Sequence, residues 1–225
     1  MGLRNRRVLR LPQAALNGWN ARHPWSHNDH FHGWILRNLP PRRASALDVG
    51  CGRGALVARL AGRFDRVTGI DPDAEMVAAS RQLVAGDPGV EIRQESLLRT
   101  EGQYDVVTAI ASLHHLPFEE ALTRAKALVA PGGRLLAVGL AQLGSPTDVA
   151  YDSASLLLNP LVGLLKHPRP VRGGPRPPDM PVRMPIETFD EVRALAERVL
   201  PGVRVRRRLF FRYTLAWDSS ALRPG

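Results

Sequence analysis

The 225-residue chain has little of three things: cysteine, lysine and long apolar runs. Its single cysteine, Cys51, excludes an internal disulfide framework. No stretch approaches the roughly 18 consecutive apolar residues that a membrane-spanning helix needs. The basic N-terminus also lacks the apolar segment that is typical of a secretory signal. These absences predict a cytoplasmic protein that makes no use of a membrane.

The size and composition suit one globular domain rather than two. Hydrophobic residues make up 44% of the chain and charged residues 23%, which is ordinary for a folded protein. This composition excludes disorder of the whole chain and provides enough apolar mass for a core. The length leaves room for one domain with small covering segments.

Positive charge dominates the chain but is unevenly distributed. The formal net charge is +10, and only two of the 31 basic residues are lysine. Residues 1–45 carry eight arginines against one aspartate, residues 46–143 carry ten basic against twelve acidic groups, and residues 144–225 carry thirteen against eight. The flanks therefore hold the excess. They fit either a surface that attracts RNA or another anionic partner, or a solvated surface with a bias toward arginine.

Short apolar strands alternate with amphipathic helices from residue 46 to residue 140. The predicted strands cover residues 46–49, 66–71, 90–94, 104–112 and 134–140. This alternation predicts an α/β fold with a doubly wound, mostly parallel sheet and helices on both faces. Near the end of the chain, period-2 alternation on both sides of Phe210–Phe211 predicts an antiparallel hairpin. A capping box from Thr188 to Glu191 predicts the helix that precedes it.

Two segments fall outside this pattern. Residues 1–45 combine an irregular start with one predicted helix, and we expect them to form a cap. Residues 144–186 are rich in proline and glycine between positions 168 and 185. Because long irregular connections often serve as lids or binding loops, we expect this segment to be an irregular lid over the substrate.

Three glycines, Gly50, Gly52 and Gly54, follow the first predicted strand. Glycine allows a positive φ and lets a ligand approach the backbone, while the next helix offers free N–H groups. The spacing that ends at Ala55 fits a dinucleotide-binding loop, so a nicotinamide cofactor is one interpretation. The other is S-adenosylmethionine. Asp48 favours the second, because a carboxylate attracts the ammonium group of S-adenosylmethionine and would repel a phosphate.

Four motifs, in matching order and spacing, resemble the class I S-adenosylmethionine-dependent methyltransferases. They are Leu47–Gly54, Val67–Met76, Tyr104–Pro117 and Val129–Leu135. The resemblance implies a seven-stranded Rossmann-like sheet, with its antiparallel terminal hairpin, formed by residues 46–225. It also implies S-adenosylmethionine as cofactor and S-adenosylhomocysteine as product. The flanking segments resemble a subset of actinobacterial small-molecule methyltransferases, without pointing to a particular acceptor.

The resemblance implies a role for individual residues in the cofactor pocket. Asp71 would hold the ribose hydroxyls, and Pro72 and Met76 would flank the adenine. Where the family often has Gly-Asp beside the adenine amino group, this chain has Glu95 and Ser96. The expected cofactor-binding residues are Asp48, Gly50, Cys51, Gly52, Asp71, Pro72, Met76, Glu95, Ser96, Leu97 and Ala111.

Methyl transfer to a hydroxyl or ammonium group is helped by a base, and histidine suits that role near neutral pH. His114 and His115 follow the fourth predicted strand, whose carboxyl end faces the cofactor crevice in such a sheet. His27 lies in the predicted cap. We predict these three as candidate catalytic residues, with lining of the pocket as the alternative. No nearby Cys or Glu completes a metal site around His27, so no metal is expected.

The preferred hypothesis is methyl transfer to an oxygen or nitrogen of a small-molecule acceptor, by a monomer or a homodimer. Three alternatives stay open: an RNA or protein methyltransferase that uses the arginine-rich flanks, a non-catalytic S-adenosylmethionine-binding module, and a nicotinamide-dependent enzyme. Nucleic acid is disfavoured because no stacking aromatics alternate with the arginines of residues 204–208.

Overall fold

Seven strands form one sheet in the order β3-β2-β1-β4-β5-β7-β6. The computed structural model describes residues 26–166 and 185–219. The strands are β1 (Ser45–Val49), β2 (Arg66–Asp71), β3 (Val90–Gln94), β4 (Tyr104–Ile110), β5 (Val129–Gly139), β6 (Arg204–Arg208) and β7 (Arg212–Asp218). Strands β1 to β5 pair in parallel, and β7 runs antiparallel between β5 and β6. The predicted doubly wound sheet with a terminal hairpin is confirmed.

Helices cover both faces of the sheet. Those of the described residues are α1 (His27–Arg37), α2 (Ala55–Ala61), α3 (Ala74–Leu83), α4 (Phe118–Ala127), α5 (Pro146–Lys166) and α6 (Phe189–Val199). One core cluster packs α4 and α6 on one face, and a second packs α1, α2 and α3 on the other. Because side chains alternate along a strand, Leu47 enters the first cluster and its neighbour Ala46 the second. None of the helices described is both long and apolar enough to cross a bilayer.

The predicted helix ends follow their capping signals. The Ser26 side chain accepts a hydrogen bond from the Asp29 N–H across 3.1 Å and opens α1. The side chains of Thr188 and Glu191 form the expected reciprocal capping box at the start of α6. In both cases the side-chain oxygen satisfies an N–H that has no partner within the helix.

Two strand boundaries differ from the sequence prediction. Strand β4 ends at Ile110 rather than residue 112, because Ala111 adopts a positive φ of 53° and leaves the extended conformation. Strand β5 begins at Val129 rather than residue 134. Its pairing with β4 shifts register between Tyr104 and Val106, and this irregularity accommodates the proline and glycines that we predicted as a turn.

The largest correction concerns residues 144–186, which we expected to be irregular. Residues 146–166 instead form the 21-residue helix α5. The signal was present in the sequence. Pro146 occupies the first helical position, where its missing N–H costs nothing, and Ser145 and Asp148 bond reciprocally around the helix start. Residues 1–25 of the predicted cap and 167–184 of the predicted lid lie outside the described residues.

Candidate functional site

The glycine loop after β1 adopts a conformation that depends on glycine. The φ angles of Gly50, Gly52 and Gly54 are 67°, 54° and 81°. The Gly50 N–H donates to the carbonyl of Ile70 across 2.8 Å, which holds the loop against β2. A Cβ built on Gly50 would overlap the Cβ of Ser112, in the segment after β4. The loop therefore lies between β2 and the segment after β4. Its glycines carry no side chain, so a ligand can approach the backbone closely.

Asp71, at the end of β2, holds this loop in place through hydrogen bonds. Its Oδ2 accepts a hydrogen bond from the Gly52 N–H across 2.9 Å, and its Oδ1 accepts one from the Asp73 N–H across 3.0 Å. The side chain is buried. Because a carboxylate has about four acceptor positions, each oxygen keeps the capacity for a further hydrogen bond from a ligand.

A cavity of ≈ 210 Å³ opens at the carboxyl ends of β1, β2 and β4. This position, where the strand order reverses, is the usual binding crevice of a doubly wound sheet. The walls hold nine of the residues predicted to bind the cofactor: Gly50, Gly52, Asp71, Pro72, Met76, Glu95, Ser96, Leu97 and Ala111. They also hold side chains that we did not predict, among them Ile70, Asp73 and Ser112. We shall call this space the cofactor cavity.

Asp48 was predicted in the same set but lies beneath the loop and is not a wall residue. Its Oδ1 accepts a hydrogen bond from the Thr108 hydroxyl across 2.8 Å. Burial raises the pKa of Asp48 to about 7, an effect that the Thr108 hydrogen bond opposes and nearby Asp71 reinforces. The carboxyl group can therefore change its charge near neutral pH.

Cys51 is also buried and is not a wall residue of the cofactor cavity. Burial, helped by nearby Asp48 and Asp71, raises the pKa of its thiol to about 12, so the sulfur is neutral at physiological pH. The Sγ atom lies close to Gly69 of β2, where a Cβ would crowd it. These observations describe a small packing residue of the loop rather than a nucleophile.

The three predicted catalytic histidines lie in three different environments. His115 lines the cofactor cavity from the 3₁₀ turn after β4. His114 is buried, with its ring 4.4 Å from that of His115, and is not a wall residue. His27 stacks on Phe210 at 5.9 Å and meets the edge of Phe211 at 6.3 Å. The structure thus brings one of the three to the cofactor cavity.

The β6–β7 hairpin joins α1 and α5 at the carboxyl edge of the sheet. Phe210 and Phe211 both have positive φ angles, 63° and 60°, a conformation that costs a non-glycine residue about 1–2 kcal/mol. The Phe210 N–H donates to the hydroxyl of Ser155 on α5 across 2.7 Å, while its ring packs on His27 and His30 of α1. Sequence alternation located this turn but not its two strained aromatic residues.

Known proteins similar to this chain are methyltransferases. Residues 47–135 match a family model described as a methyltransferase domain. An uncharacterized methyltransferase of Mycobacterium tuberculosis is 29% identical over 201 residues, which cover 86% of this chain and 96% of the relative. These two matches support a class I S-adenosylmethionine-dependent methyltransferase. They favour S-adenosylmethionine over a nicotinamide cofactor at the glycine loop.

Two further matches of the methyltransferase differ in extent. The ubiquinone biosynthesis O-methyltransferase of Aeromonas salmonicida is 43% identical, but only over 96 residues, which are 40% of each chain. The crystal structure of an S-adenosylmethionine-dependent methyltransferase from Aquifex aeolicus matches with a TM-score of 0.55 and 16% identity, covering 91% of this chain and 97% of that one. The second match shows a shared fold across almost the whole chain.

The described residues contain no group of three or more His, Cys, Asp or Glu side chains with the geometry to hold a metal ion.

Proposed function

We propose that the methyltransferase transfers a methyl group from S-adenosylmethionine to an oxygen or nitrogen of a small-molecule acceptor, leaving S-adenosylhomocysteine. The observation that carries this proposal is the enclosure of the sheet edge beside the cofactor cavity. Helices α1 and α5 and the β6–β7 hairpin pack together there through Phe210. Between these elements lie one cavity of ≈ 40 Å³ and a wider one of ≈ 380 Å³, and spaces of this size suit a small molecule.

The walls of the cofactor cavity carry polar and apolar side chains that support binding of S-adenosylmethionine. Asp71 would accept hydrogen bonds from the ribose hydroxyls with the acceptor capacity that Gly52 and Asp73 leave. Pro72 and Met76 would flank the adenine, and Glu95 and Ser96 lie on the wall where its amino group would be recognised. When bound, the cofactor supplies an electrophilic methyl group on a positively charged sulfur.

Asp48 would contribute charge from below the glycine loop. The Thr108 hydroxyl holds one oxygen of its carboxyl group, and no cation among the described residues forms an ion pair with Asp48 within 4.0 Å. A positively charged cofactor would favour the ionised carboxylate and thereby lower its pKa from about 7. We propose that this acid balances the ammonium charge.

His115 would accept the proton that the acceptor loses. It lies on the cavity wall beside Ser112 and Leu116, at the carboxyl end of β4. A base positioned there would act on a hydroxyl or ammonium group held next to the transferred methyl, and such assistance is typically worth about 10²–10⁴ in rate. His114 and His27 would support the cover rather than the proton transfer.

The arginines of β6 give little support to an RNA or protein substrate. Arg207 pairs with Asp148 at 2.9 Å, and the Arg208 Nε donates to the Thr214 hydroxyl across 3.0 Å. Arg204 and Arg206 are exposed on the edge strand, where charge also discourages unwanted strand pairing. Two exposed arginines on β6 would contact few phosphates of a nucleic acid.

The test combines cofactor binding with turnover. Calorimetry should detect binding of S-adenosylhomocysteine, and the enzyme should release it from S-adenosylmethionine with a panel of phenols, catechols, hydroxy acids and amines. Binding of NAD without S-adenosylhomocysteine would overturn the proposal. Methylation of RNA with a steep dependence on salt, or binding without turnover on any acceptor, would favour the macromolecular and non-catalytic alternatives respectively.

A further inference from the structure

Arg212, the first residue of β7, is a largely buried cation held by neutral groups. Its Nη2 donates to the side-chain oxygen of Asn28 on α1 across 3.0 Å, and its Nη1 to the carbonyl of Phe211 across 3.4 Å. Its Nε is buried and has no hydrogen-bond acceptor among the described residues. Burial lowers the pKa of the guanidinium to about 10, which leaves it charged at neutral pH.

No described carboxylate forms an ion pair with Arg212. By contrast, Arg134 on the neighbouring strand β5 pairs with Asp218 at 2.7 Å, and Arg207 pairs with Asp148. A buried charge normally has a partner, because its removal from water is costly. Arg212 is therefore a cation whose anion the described part of the chain does not supply.

A second cavity, of ≈ 40 Å³, lies against Arg212. We shall call it the arginine cavity. Its charged lining consists of three arginines and two aspartates: Arg207, Arg208, Arg212, Asp148 and Asp152. Burial and the nearby charge of Asp148 raise the pKa of Asp152. With three arginines against two aspartates, the lining is net positive, and the space is large enough for a group a little bigger than a water molecule.

The remaining walls of the arginine cavity are mainly apolar or aromatic, including Phe189, Phe211 and Tyr213. A cation beside aromatic rings suits an acid attached to a ring or short hydrocarbon better than a fully solvated ion. The small volume favours a carboxylate over a bulkier anion.

The arginine cavity lies next to the cofactor cavity along the edge of the sheet. Ala111, on the wall of the cofactor cavity, donates its N–H to the carbonyl of Val138 across 2.7 Å. The next residue of β5, Gly139, pairs with Tyr213 of β7, which follows Arg212. Because β5 alone separates β4 from β7 and strands lie about 4.8 Å apart, the two places are about 10 Å apart across the sheet.

We propose that Arg212 anchors a carboxylate of the methyl acceptor, so that the enzyme acts on a small organic acid. The inference rests on the proposed function, since it treats the arginine cavity as one end of the acceptor site. With the acid on Arg212, the rest of a single ring or short chain would extend toward His115 and the cofactor cavity. The planar guanidinium offers the paired N–H donors that a carboxylate accepts.

The experiment compares two probes that differ only in the acid. Thermal unfolding is followed with saturating S-adenosylhomocysteine and increasing benzoate or benzamide at constant ionic strength. Benzoate should raise the Tm of the wild type, and benzamide should do so much less. In Arg212→Met the benzoate shift should disappear, and in Arg212→Lys it should shrink, because lysine lacks the paired donors.

Two controls separate a binding role from a structural one. Arg212→Met should not lower the Tm of the ligand-free enzyme, whereas Arg134→Met should, since it removes the ion pair with Asp218 and the hydrogen bonds to the carbonyls of Asn38 and Leu39. The Tm shift caused by S-adenosylhomocysteine alone should be the same in Arg212→Met and the wild type. If S-adenosylhomocysteine did not raise the Tm of the wild type, the proposed function would be contradicted, whatever the benzoate result.

Three outcomes would overturn the carboxylate anchor. They are equal shifts with benzoate and benzamide, a benzoate shift that persists in Arg212→Met, and the absence of any benzoate shift in the wild type. A ligand-free Arg212→Met protein as destabilised as Arg134→Met would assign Arg212 a structural role and would also overturn it.

Discussion

The Oδ2 atom of Asp71 accepts a hydrogen bond from the Gly52 N–H across 2.9 Å. One carboxylate at the end of β2 thus fixes the glycine loop that follows β1, nineteen residues earlier in the chain. The same carboxylate faces the cofactor cavity, so we propose that it both fixes the loop and binds the cofactor.

Asp71→Ala should weaken S-adenosylhomocysteine binding by at least about tenfold, since it removes charged hydrogen bonds to the ligand and frees Gly52. Calorimetry measures the affinity directly. Asp65→Ala is the matched control, because Asp65 is an exposed acid that immediately precedes β2, at the end of the strand opposite to Asp71. Equal affinities for the two variants would show that Asp71 does not hold the cofactor.

Cofactor affinity should fall as the pH drops below 7. Protonation neutralises Asp48, whose pKa burial raises to about 7, whereas a cationic ligand needs the ionised form. Because binding is coupled to the loss of one proton from Asp48, the affinity for the cofactor decreases by at most about tenfold per pH unit. The measurement is S-adenosylmethionine affinity between pH 5.5 and 8, and Asp48→Asn should bind more weakly at pH 8 with a flatter profile. A pH-independent affinity in the wild type would exclude this role.

The same raised pKa predicts the pH dependence of ligand-free stability. The folded protein keeps the Asp48 proton up to a higher pH than the unfolded chain, whose aspartate titrates near 3.8. The Asp48 contribution is therefore fully present below about pH 4 and is lost as the pH rises through about 7. Urea unfolding of the wild type and of Asp48→Asn at pH 5 and pH 8 measures this contribution to the free energy of unfolding. The prediction would be contradicted if the stability of the wild type relative to Asp48→Asn were higher at pH 8 than at pH 5.

Gly50→Ala should lower the free energy of unfolding by about 1–3 kcal/mol and reduce S-adenosylhomocysteine binding. The new Cβ would overlap Ser112 and would sit on a residue with a φ of 67°. Gly62→Ala provides the comparison, since a Cβ there meets nothing within 4 Å and the φ is −74°. Urea unfolding and calorimetry should separate the two variants clearly.

His115→Gln should lower kcat by about 10² or more while changing S-adenosylhomocysteine affinity only a few-fold, if His115 is the base. His27→Gln should retain kcat, because His27 packs on the hairpin rings instead of the cofactor cavity. Full activity of His115→Gln would show that His115 lines the cofactor cavity without acting as the base.

Prediction from sequence succeeded where local signals and tertiary packing agree. The Thr188–Glu191 capping box, the alternation of β6 and β7 and the glycine loop after β1 all depend on residues close in the chain. It failed for α5, where we gave more weight to proline and glycine than to the capping residues Ser145 and Asp148. It also failed to separate His115 from His114, because adjacent residues share every sequence signal and differ only in direction.

The sequence by itself determined the sheet and the glycine loop, because strand period and glycine conformation are local properties. Its resemblance to a known family named the nine wall residues. Only the tertiary structure decided which charges are paired. Asn28 and Arg212 are 184 residues apart yet lie within hydrogen-bond distance, and the burial of Arg212 arises from packing α1 against the hairpin. Burial and pairing are properties of contacts between distant segments, so the arginine cavity and the charge state of Asp48 follow from the folded chain alone.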